Sequence, residues 1–182
     1  MVTDTVTNEL QRLVDEAAIR RLHLEYCRGI DRRDWDLVRS CYHPDAIDYH
    51  GPFTGGVEDF IEWGKQFTDT VESTTHFVGN QLIDVNGDVA WHEAYCRAYH
   101  RLRATPGIPA LDWIVNLRYL DRMERRDGVW KIADRLVVHD SDRRDLVAGD
   151  GQLSAGWLKG GFADEDPSYN RELSWADFLA GR

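Results

Sequence analysis

The sequence is short of cysteine, of clustered basic residues and of long apolar runs, and each shortage excludes a class of protein. Its three cysteines, Cys27, Cys41 and Cys96, stand far apart and are odd in number. They supply neither a CxxC pair nor the framework of a disulfide-stapled secreted domain, and so point to a reducing cytoplasm. Lysine and arginine total 22 against 32 aspartates and glutamates, a formal charge of −10. Nucleic-acid-binding domains present a basic stripe to phosphates. The nearest thing here, Arg122, Arg125 and Arg126, is interleaved with Asp121, Glu124 and Asp127 and reads as a solvated strand edge. No stretch is apolar for the length a bilayer requires. The opening MVTDTVTNEL carries acids where a secretory signal carries its apolar segment. The expected setting is cytoplasmic, with neither nucleic acid nor membrane as partner.

Signature motifs of cofactor chemistry are missing too. GxSxG, P-loop and dinucleotide fingerprints do not occur, which leaves hydrolase triads, NTP use and NAD use with little support. His43, Asp45, Asp48 and His50 form a grouping that invites a metal. Asp48 and His50 share a strand face, as two ligands would. However, Asp45 sits beside a proline turn, and no HExxH-type spacing accompanies the group. The reading is no metal and no cofactor, with Tyr49 or His50 contributing to a binding pocket instead.

What is present suits one domain with a real core, since the chain has 182 residues of which 42 % are hydrophobic. Seven Trp, seven Tyr and six Phe fill cores and also line pockets that grip flat or greasy ligands. From Asn8 to about Ile30, apolar residues recur at helical spacing, with a break at Asp15 as an option. A short helix fits Trp35 to Cys41, between Asp34 as cap and Pro44 as terminator, followed by a strand from Ala46 to His50. Val57 to Phe67 is amphipathic again. The period then changes. His76–Val85 and Val89–Leu102 read as strands joined by Asn86-Gly87-Asp88, a strong hairpin signal, and Leu111–Arg125 and Val129–His139 as a second pair joined by Arg126-Asp127-Gly128. Helices first and a curled antiparallel sheet second make an α+β arrangement. The domain is expected over residues 1–140. Residues 141–182, rich in glycine, read as a tail that covers the pocket mouth, meets a neighbouring subunit or is simply disordered, with a final turn over Trp175 to Leu179.

Three segments carry a family resemblance. IRRLHLEYCRGIDRRDWDLVRSCY (19–42), THFVGNQLIDVNGDVAWHEAY (75–95) and RYLDRMERRDGVWKIADRLV (118–137) resemble the opening helix and the matching strands of SnoaL-like proteins in the NTF2-like superfamily. The resemblance implies a cone-shaped fold, helices packed on a strongly curved antiparallel sheet around a deep apolar pocket. The likeness is nearest to cofactor-free lyases such as scytalone dehydratase, the bile acid 7α-dehydratases and hexachlorocyclohexane dehydrochlorinase. By that resemblance Asp31, near the end of the first helix, and His76, on the first strand of the main sheet, form a catalytic pair. Tyr26 stands five residues before Asp31, as in the bile acid enzymes, and Arg135 stands where the dehydrochlorinase has an arginine. His139 stands where the bile acid enzymes have an arginine and is expected among the substrate-binding residues, with its exact role open.

An Asp–His pair suits proton abstraction from carbon, because the carboxylate holds the imidazole in one tautomer and stabilises the imidazolium that forms. The plainer alternatives are a helix-end carboxylate for Asp31, a core histidine for His76, a core aromatic for Tyr26 and a salt bridge for Arg135. Trp113, Val115, Leu117 and Tyr119 share one strand face and are expected in the core or pocket, with Trp113 as a substrate wall. Trp91, Tyr95 and Tyr99 share another, as pocket wall or oligomer contact. The expected activity is a cofactor-independent lyase of dehydratase type. Its substrate is a small or medium ring-containing apolar molecule, such as an aromatic catabolite, steroid or polyketide, and the protein is a homodimer or homotrimer. The alternatives are an isomerase or a formaldehyde-releasing carbon–carbon lyase using the same pair, and a non-catalytic ligand-binding or dioxygenase small-subunit-like domain.

Overall fold

The computed structural model describes residues 2–147, 157–170 and 174–176, with side chains from residue 6 onward. Helix α1 (Val2–Arg32) opens the chain, followed by α2 (Trp35–Ser40), β1 (Tyr42–His50), β2 (Phe53–Gly56) and α3 (Val57–Asp69). Four long strands come next: β3 (Val71–Asn86), β4 (Val89–Leu102), β5 (Leu111–Arg126) and β6 (Val129–Leu146). Two single-turn 3₁₀ helices, Ala163–Glu165 and Pro167–Tyr169, follow.

Helix α1 is continuous through Asp15. Ion pairs one turn apart, Arg12–Glu16, Glu16–Arg20 and Arg21–Glu25, support it. Asp15 does not cap a new helix because its carboxylate is engaged elsewhere. It accepts from Arg125 Nη1 at 2.7 Å and from Trp130 Nε1 at 2.9 Å, fastening α1 to the β5–β6 hairpin. The helix stops at Arg33, whose φ is +55°, and Asp34 caps α2 by accepting from the Leu37 N–H at 3.0 Å. Gly29 is required where the two helices meet, since a Cβ there would lie 2.7 Å from Val38 Cγ2.

The six strands form one sheet in the order β2-β1-β6-β5-β4-β3. Its pairing is antiparallel except between β1 and β6, which run parallel. The chain leaves β1–β2 through α3, crosses to the far edge for β3, and returns by three antiparallel connections to lay β6 beside β1. The last of these turns on Asp127-Gly128, with φ of +52° and +79°, the double left-handed conformation that Asp-Gly accommodates. In the first, Gly87 and Asp88 are the turn residues and only Gly87 is left-handed.

Breaks in register at Val78/Gln81, Asn116/Leu117 and Arg122/Met123 bend the long strands. The inner face of β4 reads Ala90, His92, Ala94, Cys96, Ala98, His100, all buried. These small side chains leave room under the helices that large ones would fill. The outer face of the same strand carries Trp91, Tyr95 and Tyr99, with Trp91 and Tyr95 exposed. Those three aromatics therefore face away from the space under the helices. All three cysteines are buried free thiols, and burial pushes Cys41 up to about 12.

Two features differ from the sequence reading of the C-terminal region. Strand β6 runs to Leu146 and pairs with β5 as far as Leu111, so position 140 falls inside a strand. Residues 157–170 pack back onto the end of α1. Arg32 meets Asp166 at 3.1 Å, Tyr169 donates to Asp34 at 2.8 Å, and the Arg33 guanidinium lies over the Phe162 ring at 3.8 Å. Most of the turn expected over Trp175 to Leu179, its residues 177–179, lies outside the described residues. Among the described residues no helix is long and apolar enough to cross a membrane.

Candidate active site

The curled sheet and the helices above it enclose a cavity of about 540 Å³. Its walls are aromatic: Tyr26 from α1, Trp35 from α2, Phe60, Trp63 and Phe67 from α3, and Trp113 from β5. Four histidines, His50, His76, His100 and His139, also line it. A broader depression of about 920 Å³ lies on the outer face of the sheet, over Leu82, Trp91, Leu120 and Leu136. It is more open, and its Asp–His contact, Asp121 with His92, is sealed from solvent and committed to Arg135, so the smaller cavity is the candidate site.

Asp31 and His76 meet in that cavity wall. Asp31 Oδ1 lies 2.7 Å from His76 Nδ1, while Oδ2 accepts the backbone N–H of His76 at 2.9 Å. The carboxylate thus clamps both ring and backbone of one residue. Both side chains are nearly buried, 12 % and 8 % exposed. A carboxylate on Nδ1 assigns the hydrogen to that nitrogen and leaves Nε2 as the free one. Tyr26 lines the cavity deep inside, and burial raises its phenol far above the usual range, which keeps it a hydrogen-bond donor.

Two expected site residues stand elsewhere. Tyr49 is on the outer sheet face, 44 % exposed, beside the broader depression. Successive strand residues face opposite ways, so with His50 in the cavity Tyr49 must point out. Arg135 faces inward but is fully buried behind Tyr26 and Tyr119, whose rings its guanidinium covers at 4.0 and 4.4 Å. It donates to both oxygens of Asp121, at 2.6 and 2.8 Å, and it does not line the cavity. The salt-bridge alternative describes it. His139 is at the rim, 58 % exposed at its side chain, with Nε2 3.2 Å from Asp142. Trp113 forms part of the wall, with its indole N–H on Asp142 at 2.8 Å.

The sequence reading missed His100. It occupies the inner face of β4, its Nδ1 2.8 Å from the Thr74 hydroxyl and its ring 5.7 Å from that of His76. The signal was the run of small inward residues ending in a histidine, which only matters once the inner face is identified. Burial, and then the nearby His76 and His50, push His100 down to about 3, so it is neutral at physiological pH.

Beneath the cavity lies a second polar group: Asp121, Arg135, His23 and His92, with every side chain fully buried. Burial alone would raise Asp121, but Arg135 and the hydrogen bonds hold it well below the carboxylate range. Burial lowers His23 to about 4, against the opposing pull of Asp121. His23, His92 and Asp121 have ligand-type atoms within 4.8 Å of one another. Arg135 already supplies the positive charge there, on both carboxylate oxygens, the place a metal ion would take. Of the His43, Asp45, Asp48 and His50 grouping only Asp48 and His50 come together, at 3.3 Å. His43 bonds the Glu124 carbonyl at 2.9 Å and Asp45 pairs with Arg126 at 2.6 Å.

These buried neutral histidines make the fold acid-sensitive. Their folded values lie below the ordinary 6.5, so the unfolded chain takes up protons first as pH falls. Stability is intact above about 6.5 and is lost between about 6.5 and 4 for His23, and down to about 3 for His100. Between pH 7 and 4.5 each contributes a loss of about 2 kcal/mol. Urea midpoints at the two pH values should differ accordingly, and His100→Gln should reduce the difference. Equal midpoints in the unmodified protein would contradict these buried neutral states.

The sequence profile of the SnoaL-like domain matches residues 11–136. Over 98 residues the chain is 29 % identical to an uncharacterized protein of Mycobacterium tuberculosis, covering 52 % of this chain and 67 % of that one. A crystal structure from Novosphingobium aromaticivorans, provisionally assigned as a scytalone dehydratase, superposes with a TM-score of 0.66 at 23 % identity, over 75 % of this chain and 91 % of that one. The hexachlorocyclohexane dehydrochlorinase LinA type 3 of Novosphingobium barchaimii gives 0.67 at 23 % identity, over 78 % and 96 %. At such identities the two structures share a fold with this protein. The profile, by contrast, runs through α1, the whole helical layer and the sheet as far as Leu136, and on that ground the chain belongs to the SnoaL-like domain family of the NTF2-like superfamily.

Proposed function

We propose that this protein is a cofactor-independent lyase in which His76, oriented by Asp31, removes a proton from carbon and a neighbouring substituent leaves. The observation that carries the reading is the 2.7 Å contact between His76 Nδ1 and Asp31 Oδ1 in the wall of an aromatic cavity. With Nδ1–H given to the carboxylate, Nε2 is the base, and the imidazolium formed is stabilised by Asp31. Tyr26, a persistent donor, serves the negative charge that develops on an adjacent carbonyl. His100 adds a neutral imidazole beside His76. That two fold neighbours are named for eliminations, one of water and one of hydrogen chloride, supports the same reaction type.

The walls support a ring-bearing apolar substrate. A volume of about 540 Å³ is in the middle of the range for small-molecule sites and suits one or two rings. Incubation with ring ketones bearing a β-leaving group, in deuterated water, tests the reading. Elimination should proceed with the unmodified protein and fall by roughly 10²–10⁴ in His76→Ala. Full turnover by that variant rules the base out. Product analysis separates elimination from isomerisation, which returns the proton at another carbon, and from carbon–carbon cleavage, which releases formaldehyde.

Self-association as a dimer or trimer belongs to the same reading. Its support is the outer sheet face, where Phe77, Leu82, Trp91, Tyr95 and Leu136 are all exposed. Sedimentation of the full chain should give a species larger than a monomer.

A further inference from the structure

Asp31–His76 is not alone among the Asp–His pairs whose histidine lines the cavity. His139 meets Asp142 at the exposed rim, and a further pair is buried on β1. Asp48 Oδ1 lies 3.3 Å from His50 Nδ1, with Asp48 fully buried and the His50 side chain 20 % exposed toward the cavity. Neither atom has a hydrogen-bond partner, and at 3.3 Å the two make a close contact rather than an aligned hydrogen bond. Two buried polar atoms left single would each be costly, and a small turn of the ring that gives His50 Nδ1–H to Asp48 satisfies both. That leaves His50 Nε2 as the nitrogen available to a bound molecule. The ring is held against Phe60 and Trp63, with centroids at 5.3 and 5.5 Å.

Asp48 is itself anchored. Its Oδ2 accepts from Tyr42 Oη at 2.7 Å, and Tyr42 accepts from Arg135 Nη1 at 3.3 Å. The buried Asp121–Arg135 ion pair therefore ends, through Tyr42, on the carboxylate that orients His50. Arg135 does not reach the cavity, yet it holds a residue that does. The two pairs start far apart. Strands β1 and β3 are four places apart in the sheet, about 19 Å in a flat sheet at about 4.8 Å per strand. The curl brings both histidines into one cavity.

We infer that His50, oriented by Asp48, is a second proton-transfer residue that delivers a proton to the departing group while His76 takes one from carbon. The inference rests on the lyase reading. In the step, the carbon–hydrogen bond breaks and its proton goes to His76 Nε2, while the electron pair forms the new carbon–carbon double bond. The carbon–oxygen bond breaks, and His50, which enters the step protonated on both nitrogens beside the Asp48 carboxylate, gives its Nε2 proton to the leaving oxygen to form water and is left neutral with its hydrogen on Nδ1. Return of one proton from His76 to His50, through solvent or His100, restores the starting state.

A hydroxyl needs that proton and a chloride does not, so a matched pair of substrates isolates the role. A β-hydroxy-tetralone and its β-chloro analogue both aromatise to the same fluorescent naphthol. The rate ratio of hydroxy to chloro substrate should fall about 100-fold in His50→Gln, and in the same direction in Asp48→Asn. Because both rates come from one preparation, the ratio is insensitive to partial misfolding. An unchanged ratio overturns the inference. His76→Ala should depress both substrates together, and its failure to do so sinks the lyase reading independently. Nitrogen-15 NMR gives a readout without turnover. In the unmodified protein His50 should carry hydrogen on Nδ1, and Asp48→Asn should abolish that preference. A bare Nδ1 overturns the assignment.

Discussion

Asp31→Asn is expected to lower turnover by roughly 10⁴-fold while leaving the fold intact, the magnitude known for removal of the charge behind a catalytic imidazole. Asparagine keeps the shape of the side chain. Its oxygen can still accept one of the two hydrogen bonds that Asp31 now takes from His76, at 2.7 Å from the ring and 2.9 Å from the backbone. What it loses is the charge that stabilises an imidazolium and the second acceptor that decides the tautomer. The loss should fall on kcat rather than KM, since Asp31 acts through His76. Combined with His76→Ala the two losses should not add, because the residues act as a unit. Circular dichroism and thermal midpoint report whether the protein is folded. A folded Asp31→Asn protein with undiminished kcat would mean that the pair is structural.

The second large effect is on stability. Asp121→Ala is expected to cost about 3–5 kcal/mol, the usual price of leaving a buried charge without its partner. Arg135 gives both its carboxylate hydrogen bonds to Asp121 and is entirely shielded from water. Without Asp121 its guanidinium keeps only Tyr42, His23 and the faces of Tyr26 and Tyr119. For a chain of this size the thermal midpoint should fall by roughly 6–20 °C. Removing both charges, as Asp121→Leu with Arg135→Met, should recover much of the loss, because the cost is that of the orphaned charge and not of the pair. A small effect of Asp121→Ala alone would show that water or a neighbour reaches Arg135.

The same ion pair shows where sequence reading stops. Arg135 and Asp121 are 14 residues apart on neighbouring strands, and their register brings them opposite each other. Local pattern says only that both face inward. The distinction between an arginine lining a cavity and one sealed beneath it depends on Tyr26 and Tyr119 lying over its guanidinium, and those come from α1 and β5. Tyr49 and His50 make a simpler case. Alternation requires that one face in and the other out, but not which, until β1 is seated beside β6.

Much was nonetheless settled by local pattern. Helical spacing in the first third, Asp127-Gly128 as a hairpin turn and the inward set Trp113, Val115, Leu117 and Tyr119 follow from periodicity and turn chemistry, which act over a few residues and need no distant partner. The joining of Asp31 to His76 across 45 residues was reached only by resemblance. The second pair, Asp48 and His50, was legible as a shared strand face, but its place in the same cavity as His76 was not. That required the curl of a sheet in which β1 and β3 are four strands apart. Curl comes from bulges, twist and the small residues beneath the helices, which are sums over the whole sheet and are not written in any one segment.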